Sequence, residues 1–253
     1  MPSPAFNDHF SSLSSVYARH RPRYPDALFA YLARIAPSTA LAWDCATGNG
    51  QAAQNLARHF ERVIATDASA TQIQAAEPAP NIEYRVVPAD QSGLDTASAN
   101  VCTVAQALHW FNIEQFYAEV KRVLKPHGII AVWTYTHSRI APEIDGIMQD
   151  FYRDIRPYFP PERALVDDRY TTIPFPFEEL TAPPFVMEAA WNLDDVLGYY
   201  RSWSGVQGFE RQHGGKPHRN PLGEVERRLS EVWGERESVR EVRWDVHLRV
   251  GRV

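Results

Sequence analysis

The sequence predicts an α/β protein, a parallel β-sheet covered by helices on both faces. Short apolar, β-branched runs recur at 40–44, 62–67, 82–88, 101–106 and 128–135. Helical patterns separate several of them, and strands that alternate with helices build βαβ units. The chain of 253 residues is also 44% hydrophobic, enough for a buried core of native type.

Taken from the N-terminus, "FNDHFSSLSSVYARHRPRYPDALFAYLARIAP" predicts two helices hinged at Arg21-Pro22 and Tyr24-Pro25, since a residue before proline avoids helical backbone. The strand at 40–44 ends on Asp44 and runs through a turn of small residues into a helix. The clearest helix is 112–124. Asn112 can cap it, with Gln115 three residues on completing a capping-box pattern. Ile113, Phe116, Tyr117, Val120, Val123 and Leu124 share one face, and Pro126 with Gly128 ends the run. Beyond it the character changes, because eight of the 19 prolines fall between 142 and 184, among aromatics. "FYRDIRPYFPPER" and "TTIPFPFEEL" suit a packed cap better than a long sheet. Regular patterns return as a strand at 185–191, helices at 193–202 and 221–233, and a strand at 242–252. In that last strand Val242, Trp244, Val246, Leu248 and Val250 alternate with polar neighbours, the period of one buried face. "GFERQHGGKPHRN", between the two helices, reads as a mobile polar loop.

Composition excludes several classes. A net charge of −5 argues against a nucleic-acid partner. No apolar run approaches the ~18 residues of a membrane span, "GIIAVW" being the best, so no membrane partner is expected. The start, "MPSPAFNDHFSSL", lacks the basic and apolar regions of a secretory signal. Cys45 and Cys102 each lie in an apolar segment, near neither a second Cys nor a spaced His, and read as packed thiols, with no metal site. The expectation is a soluble cytoplasmic protein, monomer or homodimer.

The turn "DCATGNGQAA" is where a ligand is expected. Gly48-Asn49-Gly50-Gln51-Ala52-Ala53 fits the dinucleotide pattern G-x-G-x-x-A. By itself that fits a dinucleotide, S-adenosylmethionine (SAM) or a plain strand-to-helix turn. Charge separates the first two. A pyrophosphate needs bare N–H groups and no nearby anion, whereas Asp44 stands immediately before the turn. A carboxylate there suits the ammonium and sulfonium of SAM. Asp67 ends the next strand, 19 residues after Gly48, a spacing that serves ribose hydroxyls in either cofactor; its plain reading is a cap for the segment starting at Ser69. Asp90, in "VVPADQ", can accept an adenine amino group, or be an ordinary solvated loop acid.

These motifs, taken in order, resemble the class I SAM-dependent methyltransferases, and more narrowly the methyltransferase type 11 group that includes trans-aconitate methyltransferase-like proteins. The resemblance rests on "DCATGNGQAA", "VIATDAS" with Gln72, "VPAD", "AQALHWF" and "RVLKPHGIIAVW", with "YARHRPRYP" and "YYRSWSGVQ" outside the core. It implies a Rossmann-like, seven-stranded, mostly parallel sheet with its last strand antiparallel and a Pro/aromatic-rich cap insertion. One domain would span 1–253, with a helical lid at 1–39, the SAM-binding core at 40–137, a substrate cap at 138–184, and strands and helices at 185–253 completing the sheet. It further implies that Asp44, Ala46, Thr47, Gly48 and Gly50 surround the methionine part of SAM. Asp67, Ala68 and Gln72 would meet the ribose, Asp90 and Gln91 the adenine, and Gln106 would sit near the methyl donor. Two positions depart from the family pattern. Ala46 replaces a glycine, which matters if that position needs positive φ. Asn100 replaces an acid and reads as a surface variation.

For the methyl acceptor, a small molecule is expected, with a carboxylate as the methylated group, which is already ionised at pH 7 and needs no base. His109 could orient it or act as a base, and Trp110 could form an apolar wall; the plain readings are a turn cap and a core residue. Tyr17 and Arg21 are candidates to close over the site, Arg21 because guanidinium matches carboxylate geometry. Tyr135 ends the fifth strand at the same cleft. Two rivals stay open, an NAD(P)-dependent oxidoreductase and a non-catalytic SAM-binding regulatory protein.

Overall fold

Both faces of the central strands are buried, which is why their sequences run apolar without strict alternation. The computed structural model describes residues 21–214 and 221–253. Strands β1 (Ala42–Cys45), β2 (Val63–Asp67), β3 (Ile82–Val86), β4 (Ala99–Ala105) and β5 (Leu124–Tyr135) pair in parallel in the order β3-β2-β1-β4-β5. β6 (Glu178–Leu180), β7 (Phe185–Trp191) and β8 (Arg240–Arg252) complete the sheet. β8 lies antiparallel beside β5, and β6 and β7 pair antiparallel with β8 at 250–252 and 240–246. All seven expected strands are present among the described residues, and the antiparallel last strand is as the resemblance implied. Glu178–Leu180 adds a short eighth strand inside the Pro/aromatic segment.

Successive side chains of a strand point to opposite faces. Ala42, Val101, Ile129, Ala131 and Trp133 therefore enter one core, while Trp43, Cys102, Val104, Ile130 and Val132 enter the other. The first core is roofed by α1 (Asp26–Ile35), which buries Leu28, Phe29 and Leu32 completely. α2 (Gln51–Leu56) follows the glycine turn, and α3 (Ala70–Gln74) is capped by the Ser69 hydroxyl, which accepts from the Gln72 N–H. α4 (Ile113–Val123) covers the second core with Phe116, Tyr117, Val120 and Val123. Its Asn112 carboxamide accepts from the Gln115 N–H at 3.3 Å. A full reciprocal capping box forms at α7 (Leu193–Arg201), between Asn192 and Asp195. Cys45 and Cys102 are buried free thiols.

The Pro/aromatic segment is more helical than its composition predicts. α5 (Pro142–Ile155) carries its proline in the first turn, where no N–H is needed. Ile144, Met148, Phe151 and Ile155 of α5 reach the first core. A 3₁₀ turn at Arg156–Tyr158 leads to the short α6 (Arg163–Asp167). α8 (Ser204–His213) and α9 (Pro221–Trp233) follow α7. The expected loop "GFERQHGGKPHRN" is thus corrected as far as His213, which is helical; 215–220 lie outside the described residues. Phe209 and His213 pack edge-on against Tyr158 at 5.1 and 5.4 Å, an apolar docking that the polar sequence hides. No helix among the described residues is long and apolar enough to cross a membrane.

Candidate active site

Strand order reverses between β1 and β4, and ligands of open α/β sheets lie in the crevice beyond the strand ends at that point. Asp44 occupies β1 there, fully buried. Parallel register sets it beside Thr103 of β4. Its two oxygens accept hydrogen bonds of 2.6 Å, from the Thr103 and Thr47 hydroxyls. Burial raises its pKa to about 6, against the lowering effect of both hydroxyls. The carboxylate lies beneath the turn.

The turn itself is built on left-handed backbone. Ala46 has φ 54°, Gly48 φ 58° and Gly50 φ 86°. The first position therefore does adopt positive φ, and alanine bears the strain. A Cβ on Gly50 would collide with the Tyr84 hydroxyl. A Cβ on Gly48 would instead make an ordinary contact, with Gln72 Oε1 at 3.9 Å, and meet nothing closer among the described residues. Packing alone does not demand that glycine; its left-handed φ does, and the bare backbone also suits close approach by a ligand. Asp67 Oδ2 accepts from the Gly48 N–H at 2.8 Å and Oδ1 from the Ser69 N–H, so Ser69 rather than Asp67 caps α3. Ala68 and Gln91 are exposed and Asp90 half-buried nearby in sequence, at the ends of β2 and β3. Asn100 is a correction: it is buried within β4, and its Oδ1 accepts from the Leu41 N–H at 3.2 Å. It ties the start of β1 to β4, which no surface residue could do.

Gln106 follows β4 with φ 58°. Its side chain turns onto β5, where Nε2 donates to the Tyr135 carbonyl and Oε1 accepts from the Tyr135 N–H, both at 3.1 Å. The Thr134 hydroxyl donates to the same Oε1. A non-glycine residue held at positive φ at a strand end is strain of the kind concentrated at functional sites.

Gln106 also borders a cavity of about 80 Å³ that collects the acceptor candidates. Arg21, His109, Trp110 and Tyr135 all line it; Tyr17 lies outside the described residues. Arg21 donates to the Tyr135 hydroxyl at 3.1 Å and sits over the Tyr199 ring. The His109 ring lies 4.6 Å from that of Trp110, and its Nδ1 is 2.8 Å from the Tyr170 hydroxyl. Burial, and secondarily the Arg163 charge, lower the His109 pKa to about 3, so the ring is neutral at physiological pH. Trp110 both packs on the second core and borders the cavity.

Eight further lining residues escaped the sequence reading, of which Arg163, Phe159, Tyr199 and Trp203 matter most. Arg163 brings a second guanidinium; its Nε serves Asp167 and Tyr152, while its terminal nitrogens make no hydrogen bond among the described residues. Phe159, Tyr199 and Trp203 supply apolar wall. For Tyr199 and Trp203 the signal was "YYRSWSG", noted as a motif without roles. Arg163 follows a Pro-Pro turn with no sequence signal at all.

Fold and site together define a doubly wound α/β protein with a left-handed glycine turn at its switch point and a cationic, aromatic pocket at the ends of β4 and β5. Comparison with known proteins narrows the class. A family model described as a methyltransferase domain matches residues 43–132. A Dictyostelium discoideum protein described as a methyltransferase is 37% identical over 215 residues, 83% of this chain and 82% of the relative. A Saccharomyces cerevisiae protein described as an S-adenosylmethionine-dependent methyltransferase is 25% identical over 86% of this chain and 87% of its own. A solved structure from Anaeromyxobacter dehalogenans, described as a type II methyltransferase, is 42% identical with a TM-score of 0.85, over 92% of this chain and 97% of that one. The chain belongs to the class I SAM-dependent methyltransferases. It is an enzyme, and S-adenosylmethionine is its methyl donor.

Proposed function

We propose that this methyltransferase acts on a small anionic molecule and methylates a carboxylate oxygen. The observation that carries the reading is the pair of guanidiniums, Arg21 and Arg163, lining one small aromatic cavity that Gln106 joins to the strand ends. Guanidinium donors match a carboxylate in both charge and geometry. In a cavity walled by Trp110, Phe159 and Trp203 they are only weakly screened.

The residues around the turn fit the methyl donor. Asp67 and Asp90 offer acceptors for ribose and adenine, with Ala68, Gln72 and Gln91 alongside. Gly48, with no side chain of its own, admits close approach to the backbone, and Ala46, Thr47 and Gly50 shape the turn. Asp44, below it, supplies the negative field that favours an ammonium. Bound SAM supplies a methyl on a sulfonium, ready for in-line displacement by an oxygen lone pair. The protein then needs chiefly to align the acceptor and exclude water. A carboxylate arrives without a proton to remove, in keeping with His109, whose depressed basicity makes it a poor proton acceptor.

The test is a panel of small carboxylic acids, phenols and amines with SAM carrying a labelled methyl. Label is expected in base-labile methyl esters of the acids. Transfer to phenols or amines with the acids inert would overturn the reading.

A further inference from the structure

The Arg163 guanidinium is held along one edge. Its Nε donates to Asp167 Oδ1 at 3.0 Å and to the Tyr152 phenol oxygen at 3.2 Å. The phenol in turn donates to the Asp167 oxygens, 2.6 and 2.7 Å away, since a carboxylate has no hydrogen to offer. Burial pushes the pKa of the Tyr152 phenol up to about 12, so that hydrogen stays in place. Rings lie beside the guanidinium as well, its carbon being 5.0 Å from the centroid of Phe159 and 5.5 Å from that of Tyr152. Three elements meet here. α5 brings Tyr152, α6 brings Arg163 and Asp167, and the 3₁₀ turn brings Arg156, whose Nε is 3.0 Å from Asp167 Oδ2.

A guanidinium has five N–H donors, one on Nε and four on its terminal nitrogens. With Nε engaged, the terminal pair remains. It makes no hydrogen bond among the described residues, on a side chain that is 17% exposed and borders the cavity. Two parallel N–H groups match the two oxygens of a carboxylate. Arg156 and Arg163 also share the single charge of Asp167, so these three groups keep one positive charge in excess.

We propose that Tyr152 and Asp167 are positioning residues, which hold the Nε edge of Arg163 and so present its terminal nitrogens to the oxyanion of the methyl acceptor. The charge of that ligand rests on the proposed carboxylate reading; the clamp itself does not. A side chain fixed beforehand loses little freedom when the ligand arrives. The role of Tyr152 separates from the local field, because Tyr152→Phe removes a hydroxyl and keeps the ring and every charge. The role of Asp167 separates by sign. Neutralising it strengthens anion binding if the acid only offsets charge, and weakens anion binding if the acid orients the arginine.

The experiment is calorimetry of the full chain loaded with S-adenosylhomocysteine, titrated with butyrate and with its uncharged isostere butyramide. The parent should prefer butyrate about 10-fold or more. Tyr152→Phe should weaken butyrate about 3- to 10-fold and leave butyramide unchanged. Asp167→Asn should weaken butyrate too, since one carbonyl oxygen must then serve the donors that now share two. Thermal unfolding shows which variants are folded, and one folded variant suffices. Three results overturn the inference: no preference in the parent, equal losses for both ligands in a folded variant, or butyrate binding that is unchanged or tighter there. A butyrate preference in the parent without methyl esters in the panel above counts against the carboxylate reading alone. Methyl esters, with a preference that Tyr152→Phe leaves intact, count against the inference alone.

Discussion

Thr103 of β4 donates a 2.6 Å hydrogen bond to the buried carboxylate of Asp44, its register neighbour on β1. Two strands thus cooperate to hold an acid beneath the turn, and burial still lifts its pKa from 3.8 to about 6. The folded protein therefore keeps a proton that the unfolded chain releases above about pH 4. Stability from this group is fully present below pH 4 and is lost as pH rises through 6, a difference on the order of 3 kcal/mol.

Asp44→Asn is accordingly expected to be more stable than the parent at pH 8, by up to ~2–3 kcal/mol in urea unfolding. It should also bind S-adenosylhomocysteine about 10- to 100-fold more weakly, since a charged partner of the ammonium is lost. In the parent, calorimetry should show affinity falling as pH drops below 6, when Asp44 takes up its proton. Flat affinity between pH 5 and 8 would separate Asp44 from the ligand.

At the turn, Ala46→Gly removes left-handed strain of ~1–2 kcal/mol and adds ~0.5–1 kcal/mol of chain entropy cost. A net gain of up to ~1 kcal/mol in unfolding free energy is expected. Gly50→Ala should lose more than Gly48→Ala, because its Cβ also strikes Tyr84 whereas a Cβ at Gly48 makes only an ordinary contact with Gln72. Equal losses would contradict that difference.

Arg163→Gln leaves Asp167 paired with Arg156 at 3.0 Å, so folding should change little. The KM for a carboxylate acceptor should rise about 10- to 100-fold, the usual range for hydrogen bonds to charge, with cofactor affinity unchanged. An unaltered KM would exclude Arg163 as an anchor.

Gly205 lies buried in α8 against Phe159, whose ring a Cβ would enter. Gly205→Ala should therefore cost ~1–3 kcal/mol of stability. Because Phe159 lines the cavity, acceptor KM should change while cofactor affinity holds. Steady-state kinetics and calorimetry would check the pair.

The legible parts of this protein were those whose physics is local. β-Branched apolar runs and the Asn112 cap placed strands and α4 within a few residues. The cap at 138–184 was less legible because its helix α5 carries proline at a boundary, where it favours the helix, and its faces are defined by distant partners. Phe209 and His213 read as loop residues for the same reason: the ring of Tyr158 that they pack on is remote in sequence.

Sequence by itself determined the sheet, the order of the motifs, the glycine turn with Asp44 and Asp67, and hence a SAM-type cleft. Only tertiary structure decided that Ala46 is held at positive φ, that Asn100 is buried, that Gln106 turns onto β5, and that Arg163 joins Arg21, His109 and Tyr135 around one cavity. Strand periodicity and turn chemistry act between neighbours along the chain, so they are written in it. The cavity is assembled from the approach to α1, the ends of β4 and β5, the cap and α7–α8, and its charge and hydrogen-bond directions exist only once those elements have packed.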